Sequence, residues 1–161
     1  HESAMRIINK TGPLANPADR DHCLQYIVAV TLLSGDLKAD YYEHTFAADP
    51  RIDYLRERME IIENKIFSQD YLDPTKRSIA NAIEIFFKDG SKTEKIIVEY
   101  PIGHPRRRRE GIPLLIEKFK NNLTSHFSQT VSDRLLGLFQ NQEKLMEQPV
   151  SQFMDLFAIK T

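Results

Sequence analysis

The middle of the chain carries a β-hairpin signal between two helical regions. The dipeptide Asp89-Gly90 joins two runs rich in β-branched and aromatic residues, Ser78–Lys88 and Thr93–Tyr100. Asp-Gly favours the backbone conformations that connect antiparallel strands. A further strand is predicted at Met59–Glu63. Because helical periodicity precedes and follows this segment, the sequence predicts an α+β fold: a small antiparallel sheet with a buried helix, followed by C-terminal helices.

The most apolar helix is predicted at Ala18–Leu33. Asn16 before Pro17 combines a capping side chain with proline at the first helical position. From Leu24 onward the segment is apolar on nearly all sides, which is typical of a buried helix. Gly35 is expected to end it.

Several other segments are assigned from periodicity and turn residues. Ser3–Lys10 fits either a helix or a strand, and Asp70 and Asp73 are interpreted as turn formers. The remaining predicted helices are Ala39–Phe46, Pro50–Arg56, Ile112–His126, Val131–Phe139 and Val150–Phe157.

Composition excludes several classes of protein. The 161 residues carry a formal net charge of -1, which argues against binding nucleic acid through bulk charge. Cys23 is the only cysteine, so neither an internal disulfide nor a cluster held by several thiolates is expected. Cys23 itself is predicted to be a small buried residue rather than a nucleophile. The apolar run Ile27–Leu33 is too short to span a membrane. No signal peptide is expected, and the chain starts at His1 rather than Met.

A first polar cluster lies at the start of the buried helix. His22 and Tyr26 are four residues apart, so a continuous helix places them on one face, with Asp19 three residues before His22. An imidazole beside a phenol is suited to binding an anion or moving a proton. The alternative is an ordinary helix end in which Tyr26 packs and His22 is solvated.

A second cluster follows the predicted sheet. Four consecutive arginines, Arg106–Arg109, come directly after His104 and Pro105. Guanidinium groups bind carboxylate and phosphate oxygens bidentately, so the run indicates an anion site. A nucleic-acid patch and a solvated charge run paired with Glu110 are the alternatives. The five histidines are scattered along the chain, and no metal site is predicted.

Several long motifs resemble the MmgE/PrpD family. They are Asn16-Pro17-Ala18-Asp19-Arg20-Asp21-His22-Cys23-Leu24-Gln25-Tyr26, Ala48-Asp49-Pro50-Arg51-Ile52-Asp53, Asp70-Tyr71-Leu72-Asp73-Pro74, Val98-Glu99-Tyr100-Pro101-Ile102-Gly103-His104 and Glu110-Gly111-Ile112-Pro113-Leu114-Leu115. The resemblance extends over essentially the whole chain. It covers only part of the family proteins, which carry a large helical domain ahead of this region.

The resemblance implies a division of the chain and an activity. Residues 1–101 would form a small α+β lid domain, and residues 102–161 would pack on the helical domain missing from this chain. The implied reaction is the loss of water from 2-methylcitrate to give 2-methyl-cis-aconitate in propionate catabolism, without a cofactor. The enzyme would be cytoplasmic and a homodimer when full length, with no nucleic-acid or membrane partner. The related alternative is a cis-aconitate decarboxylase or isomerase.

The resemblance also implies roles for individual residues. Tyr26 would hydrogen-bond a carboxylate or deliver a proton, and His22 would orient it. The residues expected to bind the tricarboxylate substrate are Gln25, His104, Arg106 and Arg107. The family's catalytic Asp and His belong to the helical domain, so this chain alone is expected to be inactive. The alternative outside the family is a non-enzymatic module that binds anions through the arginine run.

Overall fold

The structure is a computed structural model that describes residues 1–158, and it divides into two units. The first unit spans residues 1–99, and the second begins at Tyr100. The elements of the first unit are α1 (Glu2–Ile8), α2 (Pro17–Asp21), α3 (Leu24–Ser34), a 3-10 helix (Ala39–Tyr42), α4 (His44–Ala47), α5 (Pro50–Arg56), α6 (Lys65–Leu72), β1 (Asn81–Ile83) and β2 (Ile96–Val98). Those of the second unit are a 3-10 helix (Pro105–Arg107), α7 (Arg108–Thr124), α8 (Gln129–Phe139), α9 (Gln142–Glu147) and α10 (Val150–Asp155). The fold is α+β.

The predicted helix at 18–33 is two helices. Asn16 caps α2 by accepting a hydrogen bond from the Asp19 amide at 2.9 Å, and Gly35 ends α3 with a φ of 78°, both as predicted. Between them the chain leaves the helical conformation at His22 and is extended at Cys23. The Arg20 side chain on α2 donates hydrogen bonds to residues elsewhere in the unit, and such contacts override local helix propensity.

Helix α3 supplies most of the core of the first unit. It packs against α5, whose start is capped by Asp49. The fully or almost fully buried apolar side chains of this core are Cys23, Tyr26, Ala29, Val30 and Ile52. Because α3 is apolar on several sides, half-buried residues from the 3-10 helix and α4 also pack against this core, whereas Leu32 near the end of α3 is 52% exposed. The prediction that this is the buried helix is confirmed.

Strands β1 and β2 form the predicted antiparallel hairpin. Ala82 lies opposite Ile97, and Gly90 in the turn has a φ of 87°, which a residue without Cβ adopts without strain. The strands are shorter than predicted, and all six of their residues are exposed. Within the described residues, few apolar side chains therefore pack on the sheet. Without such packing the regular pairing of the two strands stays short.

Further assignments in the first unit are wrong or incomplete. The predicted helix Ala39–Phe46 consists of the 3-10 helix and the short α4, and Asp70, interpreted as a turn former, lies inside α6. Met59–Glu63 forms no strand, since the only sheet within residues 1–158 has two strands and offers it no pairing partner. Helix α6 was not predicted, although Asn64 caps it by accepting a hydrogen bond from the Ile66 amide at 2.9 Å. Of the two possibilities for Ser3–Lys10, the structure has the helix, α1.

The second unit is helical, with aromatic contacts between its helices. Helix α7 begins four residues before the predicted Ile112, because the 3-10 helix leads directly into it. Phe119 and Phe139 meet edge to face at 4.9 Å, and Phe153 contacts Phe139 at 5.9 Å. This geometry is favourable for aromatic pairs and joins α7, α8 and α10. No helix within residues 1–158 has both the length and the apolar character needed to cross a membrane.

Candidate functional site

His104 starts the segment that carries the arginines. It is buried and caps the 3-10 helix, because its Nδ1 accepts a hydrogen bond from the backbone amide of Arg106 at 3.2 Å. A ring nitrogen that accepts carries no proton, so neutral His104 is protonated at Nε2. The cap fixes the ring relative to the backbone from which Arg106 projects.

Tyr100 contacts three of the four residues predicted to bind substrate. Its hydroxyl oxygen accepts a hydrogen bond from Arg106 Nη1 at 2.8 Å, and the Arg106 guanidinium lies 5.0 Å from the ring centre. Its backbone carbonyl accepts from Arg107 Nη1 at 3.0 Å. Its ring lies 4.6 Å from the ring of His104. One residue therefore orients two guanidinium groups and an imidazole.

The charges of this segment are mostly positive. Arg107 donates to Glu110 at 2.7 Å, and this hydrogen bond lowers the pKa of the Glu110 carboxyl. The ion pair is the one predicted for a solvated charge run, and it offsets part of the charge of Arg107. Arg108 and Arg109 open helix α7, where the helix dipole is itself positive. Cations at that position do not stabilise the helix, whereas a bound anion is attracted both to the dipole and to the guanidinium groups.

A close backbone contact holds the segment against α7. Gly111 is buried, and a Cβ at this position would lie 2.1 Å from the carbonyl oxygen of Ile102. A backbone oxygen cannot move aside as the end of a long side chain can. Glycine is therefore required at position 111 for the turn before His104 to pack on the helix.

The polar cluster of the first unit has a different character. Tyr26 is only 2% exposed, and its hydroxyl donates to the carbonyl of Tyr41 at 2.5 Å. Burial raises the pKa of Tyr26, and the cation of Arg20 opposes that shift. Gln25 is also buried and donates to the side-chain oxygen of Asn9 at 2.7 Å. In this chain both side chains have partners within the unit.

His22 does not lie beside Tyr26. It ends α2, is exposed, and bonds through Nδ1 to the carboxylate of its neighbour Asp21. The prediction that His22 and Tyr26 share a helical face is wrong, because the chain bends at Cys23. The idea that His22 orients the Tyr26 hydroxyl loses its geometric basis, since Tyr41 accepts that hydrogen bond.

The sequence interpretation missed Arg20, which is 4% exposed. Its guanidinium donates to the carbonyl of Tyr42 at 2.6 Å and to that of Leu14 at 3.3 Å, and it contacts Nδ1 of His44 at 3.0 Å. These partners lie in the loop before α2, at the end of the 3-10 helix and at the start of α4, so Arg20 joins three segments around the core. Arg20 stands between two acids, Asp19 and Asp21, and no local signal in the sequence marks it as buried.

Comparison with known proteins decides the family. The model of the MmgE/PrpD C-terminal domain matches residues 1–144. The chain belongs to the MmgE/PrpD family. It is 52% identical to 2-methylcitrate dehydratase of Cupriavidus necator, over 99% of this chain and 33% of that protein. The corresponding values are 51%, 99% and 33% for 2-methylcitrate dehydratase of Escherichia coli K12, and 46%, 98% and 31% for the probable 2-methylcitrate dehydratase of Saccharomyces cerevisiae. The chain spans about a third of the length of these relatives.

Within this MmgE/PrpD domain, the predicted site residues fall into two groups. Tyr26, Gln25 and His22 belong to the first unit, whereas His104 and the arginines belong to the second.

No group of three or more His, Cys, Asp and Glu side chains with metal-binding geometry occurs within residues 1–158. Cys23 is buried and its thiol faces the carbonyl of Lys10 at 3.6 Å.

Proposed function

We propose that this chain is the C-terminal part of a 2-methylcitrate dehydratase and supplies cationic groups that bind the tricarboxylate. The proposal is supported by about 50% identity, over nearly the whole chain, to proteins of that name. The observation that carries the chemistry is the arrangement of Arg106 and Arg107 around Tyr100. Two guanidinium groups fixed on one residue suit a ligand with several carboxylates.

The reaction explains why such groups are needed. Dehydration breaks a C–H bond next to a carboxylate and a C–O bond, forms a C=C bond and releases water. A base takes the proton, and an acid protonates the leaving hydroxyl. Charge develops on the carboxylate beside the carbon that loses its proton, so cations there stabilise the transition state. We assign substrate binding to Arg106, Arg107 and His104.

The remaining parts of the proposal concern the whole protein. We propose that the acid and base belong to the part of the protein that precedes this chain in its longer relatives, and that the chain alone is inactive. A cytoplasmic homodimer acting in propionate catabolism is part of the same proposal. A substrate contact of Tyr26 or Gln25 stays a prediction, and it requires their present hydrogen bonds to be exchanged.

The test is an assay of the full-length protein that contains this chain, with 2-methylcitrate, citrate and cis-aconitate as substrates. We expect 2-methyl-cis-aconitate and water from 2-methylcitrate. Arg106→Ala and Arg107→Ala should each raise the KM for 2-methylcitrate about tenfold, or about 1.4 kcal/mol. Arg51→Ala is the control, because this exposed arginine pairs with Asp49 on the surface of the first unit.

Each result has a distinct meaning. Release of carbon dioxide from cis-aconitate without dehydration of 2-methylcitrate would replace the reaction with the decarboxylation of the related branch. An unchanged KM in both arginine variants would overturn the binding role of the run while leaving the reaction in place. Loss of activity in Arg51→Ala comparable to that in Arg106→Ala would show that the effect is general rather than local.

A further inference from the structure

We infer that Tyr100 is a positioning residue that sets Arg106 in the orientation required to bind a substrate carboxylate. The inference rests on the proposed function. It gives a role to Tyr100, which lies within the motif Val98–His104 but to which the resemblance assigns no function. The geometry behind it is the convergence on Tyr100 of the Arg106 guanidinium, the Arg107 guanidinium and the His104 ring.

The contact with Arg106 constrains that side chain in two ways. The hydroxyl oxygen accepts from Nη1 at 2.8 Å, which fixes the distance and one direction of the guanidinium. The ring beneath it attracts the cation, with 5.0 Å between the guanidinium carbon and the ring centre. An exposed arginine otherwise samples many rotamers, and a ligand that binds it must restrict them. Holding Arg106 beforehand reduces that loss of entropy on binding.

Arg107 provides an internal comparison. It donates to the backbone carbonyl of Tyr100, not to its side chain, and it also pairs with Glu110. A substitution of the tyrosine side chain leaves that carbonyl in the chain. The two arginines therefore differ in their contact with this residue: Arg106 contacts the Tyr100 phenol, and Arg107 contacts the backbone carbonyl at the same position.

Substitutions at position 100 distinguish the two constraints. Tyr100→Phe keeps the ring and removes the hydroxyl acceptor. Tyr100→Leu removes both. A matched control exists in the first unit, where the Arg58 guanidinium lies 3.5 Å from the ring centre of the exposed Tyr54. Tyr54→Leu breaks an arginine–tyrosine pair of the same kind outside the candidate site.

The experiment is a double-mutant cycle in the full-length protein, with KM and kcat for 2-methylcitrate as readouts. We expect Tyr100→Leu to raise KM about fivefold and Tyr100→Phe about twofold, with kcat within about twofold of wild type. Combining Tyr100→Leu with Arg106→Ala should give about the tenfold effect of Arg106→Ala alone, not the roughly fiftyfold effect expected if the two act independently. Arg107→Ala should keep its full effect in the Tyr100→Leu background.

The outcomes separate this inference from the proposed function. Multiplying effects of Tyr100→Leu and Arg106→Ala would overturn the positioning role while leaving the arginines as substrate ligands. The positioning role is also overturned if Tyr54→Leu raises KM as much as Tyr100→Leu does. Wild-type protein that dehydrates no tricarboxylate would overturn the proposed function itself. If Tyr100→Leu does not fold, Tyr100→Phe decides: its twofold effect must disappear in the Arg106→Ala background.

Discussion

Tyr26 and Tyr100 place the same side chain in opposite surroundings. The Tyr26 hydroxyl donates to a backbone carbonyl inside a core, while the Tyr100 hydroxyl accepts a hydrogen bond from an exposed arginine. In the first case the bond satisfies a buried polar group, and in the second it orients a charge at the surface. A functional tyrosine therefore cannot be recognised by its sequence motif alone. Its partner decides whether the phenol serves the fold or a ligand.

The largest expected effect tests whether Tyr26 serves the fold. Tyr26→Ala should lower the free energy of unfolding by about 3–5 kcal/mol, because it leaves a cavity beside Val30 and Ile52 in the core. Tyr54→Ala, at an exposed position, should change it by no more than about 1 kcal/mol. Urea unfolding followed by circular dichroism measures both. Equal losses in the two variants would break the comparison, since Tyr26 would then contribute no more than a surface tyrosine.

The next effect tests how firmly the segment around Tyr100 is held. Gly111→Ala should destabilise the chain by about 1–3 kcal/mol, because the new methyl group would overlap the carbonyl of Ile102. Gly137→Ala is the matched control in helix α8, where, among residues 1–158, no atom beyond the adjoining backbone of the helix lies within 4 Å of the added carbon. Alanine is the better helix former, so this variant should gain up to about 1 kcal/mol. Thermal unfolding of both variants gives the sign of each change, and a stabilised Gly111→Ala would contradict the close contact.

Local cues in the sequence were sufficient for parts of the fold. Asn16-Pro17, Gly35 and Asp89-Gly90 act on their immediate neighbours, and each begins, ends or turns an element as predicted. The break at Cys23 was not predictable in this way. Beside this break, Arg20 contacts residues 6, 22 and 24 positions away along the chain. These residues come close to Arg20 only after folding.

The candidate site shows the same division. Charge and residue type indicate an anion site at Arg106–Arg109 without any structure, and the family resemblance adds Arg106 and Arg107 as substrate ligands, a role that stays a prediction. The role inferred for Tyr100 depends on the turn that leads into the 3-10 helix. This turn brings Tyr100, which follows the second strand, against the side chains of Arg106 and Arg107, six and seven positions later. No helical or strand periodicity predicts that spacing. The pairing of His22 with Tyr26 failed for the converse reason, because it assumed a periodicity that ends at His22.

The smallest expected effect is a dependence of the free energy of unfolding on pH through Tyr26. Burial raises the pKa of Tyr26, so the folded state keeps its phenol protonated at a pH where the unfolded chain has lost that proton. The resulting stabilisation is complete below the unfolded pKa of about 10 and is lost as pH rises through the folded pKa. Tyr26→Phe has no such proton. At pH 8 it should be less stable than wild type by about 1 kcal/mol, since the carbonyl of Tyr41 loses its donor.

That deficit should shrink as the pH is raised above about 10, because only the wild type loses stability through this residue. Urea unfolding at a series of pH values compares the two proteins, with Tyr54→Phe as the exposed control. The control should follow the wild type throughout. A deficit that stays constant to high pH would mean that the Tyr26 phenol ionises as easily in the folded as in the unfolded chain. The contrast with Tyr100 would then rest on hydrogen-bond direction alone, and burial would not separate the two tyrosines.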